Sequence, residues 1–232
     1  RDHEEQNETE HDNLSAESDS GGIKIDVILK EGGNSFSGFL FANGTNASFQ
    51  ADNLTPELVA RGLKTVSQVR NIWDINPAWG GRIIRDKLWF FNSNRLWGSE
   101  GYVPGLYFNK DPRAWTYVPD LDKRAVDQKR QRSNTVRLTY QANEKNKITF
   151  FHDNQFQGLY YQGVLVGGTG TSAPLAPEAS TRWNHVPDYN LQAKWTNPVT
   201  NRLLLEAGMG FVLYNRPQYR VPPVTPDMIS VT

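Results

Sequence analysis

This chain alternates between short strand pairs joined by tight polar turns and long irregular stretches. Residues 133–141 and 147–153 flank the turn Asn143-Glu144-Lys145-Asn146. Residues 189–195 and 202–212 flank a second turn at 197–201, and residues 80–87 lead into a very aromatic strand at 88–97. Inside these pairs the side chains alternate. Val136, Leu138 and Tyr140 alternate with Thr135, Arg137, Thr139 and Gln141. Tyr189, Leu191, Ala193 and Trp195 alternate with Asn190, Gln192 and Lys194. Leu203, Leu205, Ala207, Met209 and Phe211 alternate with Leu204, Glu206, Gly208, Gly210 and Val212. A period of two places each set on one face of a pleated strand. The second sets carry charge, so their face needs water. The pattern predicts an all-β, antiparallel, up-and-down meander.

Two architectures satisfy that pattern. One is a soluble β-sandwich, of the kind used in adhesion or carbohydrate binding, with its apolar faces packed together. The other is a partial transmembrane β-barrel, with lipid outside and a wet lumen inside. Three features favour the barrel. The strands read as about nine to eleven residues, the length of a tilted bilayer crossing. Short turns alternate with long loops, expected at 44–68, 99–132 and 158–188, as the two ends of an outer-membrane barrel require. Trp73, Trp97, Tyr189 and Trp195 stand near expected strand ends, where membrane interfaces collect aromatic rings. On this reading Val136, Leu138, Tyr140, Leu191, Ala193, Leu203, Leu205 and Met209 face lipid, with Leu205 near mid-strand. Arg137, Thr139, Lys194 and Glu206 face the lumen. The three turns share one edge, on the periplasmic side.

Composition excludes more than it selects. Lys+Arg and Asp+Glu are both 25, so net charge makes no case for nucleic acid. Residues 1–22 hold eight acids and one base, leaving 24 bases against 17 acids in the rest. The acidic start, 1–19, reads as a solvated flexible leader or the remnant of a preceding domain. There is no cysteine, which excludes disulfides, iron–sulfur clusters and thiolate zinc sites. No run of eighteen apolar residues suits a membrane helix. The chain opens at Arg1 with no signal peptide, so either the protein is not exported or this is a piece of a longer chain.

No enzyme site is expected. His3, His11, His152 and His185 lack metal-site spacing, so no metal or cofactor is called for. Asp74, Asp86, Asp153 and Glu206 form no carboxylate pair. The glycines of 163–170 are followed by no helix and read as loop. Asn7, Asn43, Asn46 and Asn53 head Asn-x-Ser/Thr triplets that matter only in a eukaryotic secreted protein. Thr55-Pro56-Glu57-Leu58 reads as the start of a helical turn. Pro77 removes a ladder donor, predicting a kink or break in the second strand.

Several segments resemble one family. The stretch Ser20-Gly21-Gly22-Ile23-Lys24-Ile25-Asp26-Val27-Ile28-Leu29-Lys30-Glu31-Gly32-Gly33-Asn34 is similar to the end of the plug and approach to the barrel in TonB-dependent outer-membrane receptors. The similarity is strongest to the Oar-like members that carry a carboxypeptidase-regulatory-like domain. Ser35-Phe36-Ser37-Gly38 continues it as a first barrel strand. Gly80-Gly81-Arg82-Ile83-Ile84-Arg85-Asp86-Lys87-Leu88-Trp89-Phe90-Phe91 resembles their second hairpin, with Arg82 where the family usually has Pro. Asn197-Pro198-Val199-Thr200-Asn201-Arg202-Leu203 resembles a later one. The resemblance implies plug end at 20–34 and the N-terminal part of a barrel, about seven strands, at 35–232. It also implies residence in the bacterial outer membrane among its lipids, and energy from the inner-membrane TonB complex through a missing N-terminal part. The ligand stays open between siderophore, glycan and peptide.

Overall fold

The computed structural model describes residues 30–165, 174–221 and 225, together with the backbone of 7–10 and 24–27. Two short strands, β1 (Asn7–Glu10) and β2 (Lys24–Val27), pair antiparallel. The rest of the acidic leader, the glycine-rich stretch 166–170 and the C-terminal 226–232 lie outside the described residues.

Everything else is one open antiparallel sheet. Its strands are β3 (Ser37–Asn46), β4 (Gln68–Ile84), β5 (Leu88–Asn109), β6 (Pro119–Gln141), β7 (Lys147–Gln162), β8 (Thr181–Thr200), β9 (Leu203–Tyr214) and the short β10 (Gln218–Arg220). Each of β3 to β9 pairs with its sequence neighbour. β10 continues alongside β8 where β9 stops. The expected meander is therefore present. Its tight turns, at 85–87, 142–146 and 201–202, lie on one edge, because each joins an even-numbered strand to the next. Asn143 shapes one of them: its side-chain oxygen accepts from the amides of Lys145 (3.1 Å) and Asn146 (3.0 Å), an Asx turn. Neighbouring turns are tied together. Asn146 accepts from the Trp195 indole (2.9 Å) and the Asn197 amide (3.0 Å).

The strands are longer than the sequence predicts. β5 runs 22 residues and β6 runs 23, against the expected nine to eleven. The stretch 99–132 is mostly strand and leaves a loop at 110–118, while 158–162 belong to β7 and 181–188 to β8. The first loop is 47–67 and holds the predicted helical turn, α1 (Pro56–Ala60), capped by Thr55 accepting from the Leu58 amide at 3.3 Å. Pro77 does not break β4, although the ladder to β5 lapses at 76–77. It pairs with Leu40, and the β4–β5 ladder resumes at Ala78 in the phase it held at Ile75.

Register gives the sheet two chemically distinct faces. One row reads Gly81, Phe90, Leu138, Phe150, Ala193, Met209 across β4 to β9. The next reads Leu88, Tyr140, Ile148, Trp195, Ala207. On the opposite face lie Trp89, Thr139, Thr149, Lys194, Gly208, then Ser93, Thr135, Asp153, Asn190. Phe39, Phe41, Phe91 and Phe151 are apolar exceptions on that second face.

The apolar face is bare. Met209 is 74% exposed, Leu40 68% and Phe211 50%, and no second sheet packs on it among the described residues. The tightly buried cluster lies at the far end from the turns. There Val103, Ala125 and Val164 pack with Leu106 and Tyr161. Glu178 fastens the last loop to β5 by accepting from the Asn109 amide at 2.6 Å.

Candidate functional site

The polar face begins where the chain enters the sheet. Residues 31–34 cross its turn edge and bind four strands. The Glu31 carboxylate pairs with Arg137 on β6 at 2.5 Å and with Lys147 on β7 at 2.9 Å. A Cβ on Gly32 would run into the Phe90 carbonyl oxygen, so only glycine permits this approach to β5. Asn34 then holds the β4–β5 turn. Its side-chain oxygen accepts from the Asp86 amide (3.0 Å) and the Trp89 indole (2.8 Å). Its own amide donates to the Asp86 carboxylate (2.5 Å), and its carbonyl accepts from Arg82 (3.0 Å). Asp86 sits at φ 58, a left-handed conformation that Asp tolerates in tight turns and that this network fixes.

Beyond this anchor the polar groups pair with one another. Arg95 grips Asp74 through two nitrogens, at 3.2 and 2.8 Å. Thr135 donates to Asp153 at 2.8 Å. Lys194 pairs with Glu206 across β8 and β9 at 2.8 Å. Beside that pair lies an open concavity of about 460 Å³ lined by Asn190, Gln192, Lys194, Glu206, Gly208 and Gly210.

Arg137, Thr139, Lys194 and Glu206 all stand on this polar face, and the structure joins Lys194 to Glu206. Thr139 is not wet. It is 2% exposed, between Arg137 and Gln141 under the Glu31 bridge, and its hydroxyl has no partner among the described residues. Val136, Leu138, Tyr140, Leu191, Ala193, Leu203, Leu205 and Met209 share the apolar face. Leu205 is the third residue of β9, close to the turn edge rather than mid-strand. Trp97 is also displaced from its expected place. It lies on the polar face, where its indole donates to Gln131 at 3.0 Å. Trp73 and Tyr189 keep to the apolar face, each eleven residues from the turn end of its strand. Among the described residues no cluster of His, Asp and Glu could hold a metal ion.

Sequence reasoning missed Glu31, Asn34, Arg82 and Lys147. Glu31-Gly32-Gly33-Asn34 carries the chemistry of a strand break, and its partners lie 48 to 116 residues away.

Over 72 residues the chain is 32% identical to the TonB-dependent transporter Oar of Myxococcus xanthus. The chain is similar to a TonB-dependent transporter. The match takes in 31% of the chain and 7% of that relative's length, so the chain spans only a small part of it. No family model and no solved structure matches.

Proposed function

We propose that this chain forms part of the wall of a TonB-coupled transporter in the bacterial outer membrane, a non-enzymatic role in ligand uptake. The apolar face meets lipid and the polar face lines the lumen. The observation that carries this reading is the bare apolar row running across the meander, backed by a polar face on which the incoming segment is seated. An exposed apolar surface of that extent is rare on a soluble monomer but required of a barrel's outside. A plug threaded inside a barrel must deliver its last residues to the lumenal wall, and Glu31 and Asn34 arrive on the polar side. The similarity to the Myxococcus transporter supports the same direction.

The test uses the full-length protein in vesicles, with single cysteines at Met209 and Lys194 carrying nitroxide labels. Met209 should be broadened by a lipid-soluble relaxant, and Lys194 by a water-soluble one. The reverse pattern, or both labels in water, refutes the assignment of faces.

A further inference from the structure

We propose that a strip of asparagines on the lipid side of β5, β6 and β7 docks against the same strip of a second copy of this chain. This inference rests on the assignment of faces above. Cross-strand pairing sets Asn92 beside Val136 and His152, and Asn94 beside Asn134 and Asn154. All share the face of Leu138 and Phe150. Strands tilted as in outer-membrane barrels climb about 2.5 Å per residue. Counted from the turn ends of their strands, Asn92 and His152 stand about 10–12 Å up, and Asn94, Asn134 and Asn154 about 15–18 Å. That is the middle of an apolar band about 25 Å tall. At the same heights β4 carries Trp79 and Pro77, β8 carries Trp195 and Ala193, and β9 carries Ala207 and Met209. The polar strip is therefore three strands wide, with apolar wall on both sides.

An amide at that depth is costly unless its hydrogen bonds are made. Part of the strip satisfies itself. Asn134 donates to the Asn94 side-chain oxygen (2.5 Å), Asn94 to that of Asn92 (2.8 Å), and the buried Asn92 to the Thr135 carbonyl (2.9 Å). The chain is unfinished at its other end. The Asn134 side-chain oxygen accepts from no described residue. Asn154, exposed beside it, makes no side-chain hydrogen bond among the described residues. His152 has the Tyr189 ring at 6.4 Å but no side-chain hydrogen bond among them either. Whatever completes the strip must offer donors and acceptors at mid-membrane depth, where no lipid headgroup reaches. The strip holds no carboxylate, ammonium or guanidinium, so it selects no charged partner. Asparagine both donates and accepts, so a second such strip fits it. Two copies inserted in the same direction are related by a two-fold axis along the membrane normal, which preserves height. With that axis crossing β6 at mid-height, β5 of each copy faces β7 of the other there. Asn92 and Asn94 then meet His152 and Asn154 at matching heights, Asn134 meets its own mate, and Trp79 stands across from Trp195. Arg132, about 22 Å up β6, is carried off the axis by the strand's tilt. Two convex walls touch only along a narrow strip, and three strands about 4.8 Å apart make one.

The experiment puts a nitroxide on a cysteine at Val136, on the axis strand, in the full-length protein in phosphatidylcholine vesicles. That position leaves every asparagine in place. Spectra should be broadened by label–label proximity between copies, and dilution with unlabelled protein should sharpen them. A label at Met209, three strands away at similar height, should not respond to dilution. The double variant N134L/N154L should raise the dimer dissociation constant about tenfold, and N134Q/N154Q should keep more of the association. Ser93→Ala, on the polar face, should change nothing. No dilution-sensitive broadening at Val136, or undiminished association in N134L/N154L, overturns the proposal. If N134L/N154L does not reach the membrane, the Val136 dilution series decides alone. Failure of the facing assignment is distinguishable. Met209 in lipid and Lys194 in water, with no broadening at Val136, refutes the pairing alone, whereas Met209 in water refutes the faces.

Discussion

A positive charge placed on either side of β9 should separate the two faces energetically. Met209 lies six residues from Leu203, about 15 Å above the turn edge at about 2.5 Å per residue, near the middle of an apolar band about 25 Å tall. It is 74% exposed, so an arginine there meets the surroundings and not a protein neighbour. Met209→Arg should cost about 2–4 kcal/mol, the range for Arg at the bilayer midplane of a barrel. Leu205→Arg, about 5 Å above the turn edge, should cost about 0–1 kcal/mol. Gly208→Arg is the sharpest control, one residue away on the opposite face. A Cβ at Gly208 comes no closer than 3.6 Å to the Ala193 carbonyl, an ordinary contact, and the side chain opens into the concavity beside Lys194 and Glu206. Its cost should stay within about 1 kcal/mol, since strand glycine gives back some entropy on substitution. The assay is urea unfolding of the full-length protein from vesicles. A difference of about 2–3 kcal/mol between Met209→Arg and Gly208→Arg is roughly a 30- to 150-fold change in the folding constant. The reasoning collapses if Gly208→Arg costs as much as Met209→Arg, or if Leu205→Arg costs more than either.

Three further outcomes are expected. Glu31→Gln should release residues 31–36 from the wall, losing about 1 kcal/mol locally because Glu31 and Lys147 are both more than a third exposed; faster amide exchange confined to that segment checks it, and unchanged exchange refutes the anchor. His185 is 4% exposed and hydrogen-bonded to the Tyr214 hydroxyl at 2.8 Å. Burial first, then Arg216, hold its pKa below the ordinary value of 6.5, with Asp188 pulling the other way. The folded imidazole therefore stays neutral where the unfolded one gains a proton. Stability contributed here is present above about pH 6.5 and falls as pH drops below it; urea midpoints over that window should fall in the wild type and flatten in His185→Phe. Finally, β3 and β9 leave two unpaired edges among the described residues. Residues 1–232 expressed alone should aggregate or require detergent, and a monodisperse monomer in plain buffer would contradict that.

What was legible in the sequence follows from where the two faces meet different media. Residues 135–141, 189–195 and 203–212 alternate because one side is apolar and the other wet, so a period of two marks both the strand and its faces. The outer halves of β5 and β6 carry no such mark. Residues 120–132 place Asp122, Arg124, Arg130 and Arg132 on one side and Lys123, Asp127 and Lys129 on the other. With polar groups on both sides the alternation vanishes, and residues 99–132 read as loop although the ladder runs through them. Trp97 was misplaced for the same reason, since a strand taken to end near it makes any tryptophan look like a rim residue. Pro77 misled because donor loss at one residue is a local argument, and pairing on both flanks holds the strand through it.

The anchor was illegible for a different reason. Gly-Gly-Asn is the chemistry of a turn, and nothing local separates a turn from a segment pressed against a distant backbone. The distinction matters for the orientation of the whole sheet. An alternating strand says that two faces differ but not which one encloses the lumen. The Glu31 carboxylate supplies the asymmetry, because a segment leading into the first strand can run only on one side of it. Here that side holds Arg137, Lys147, Trp89 and Arg82. Were the polar face on the barrel's outside, this ion-paired segment would lie in lipid at the turn edge. Glu31, already 38% exposed, would then turn that exposed surface to hydrocarbon or headgroups. Seated inward, the same carboxylate has two cations and water. On the transporter reading proposed above, the polarity of one four-residue segment thus orients a sheet whose strands alone leave the choice open.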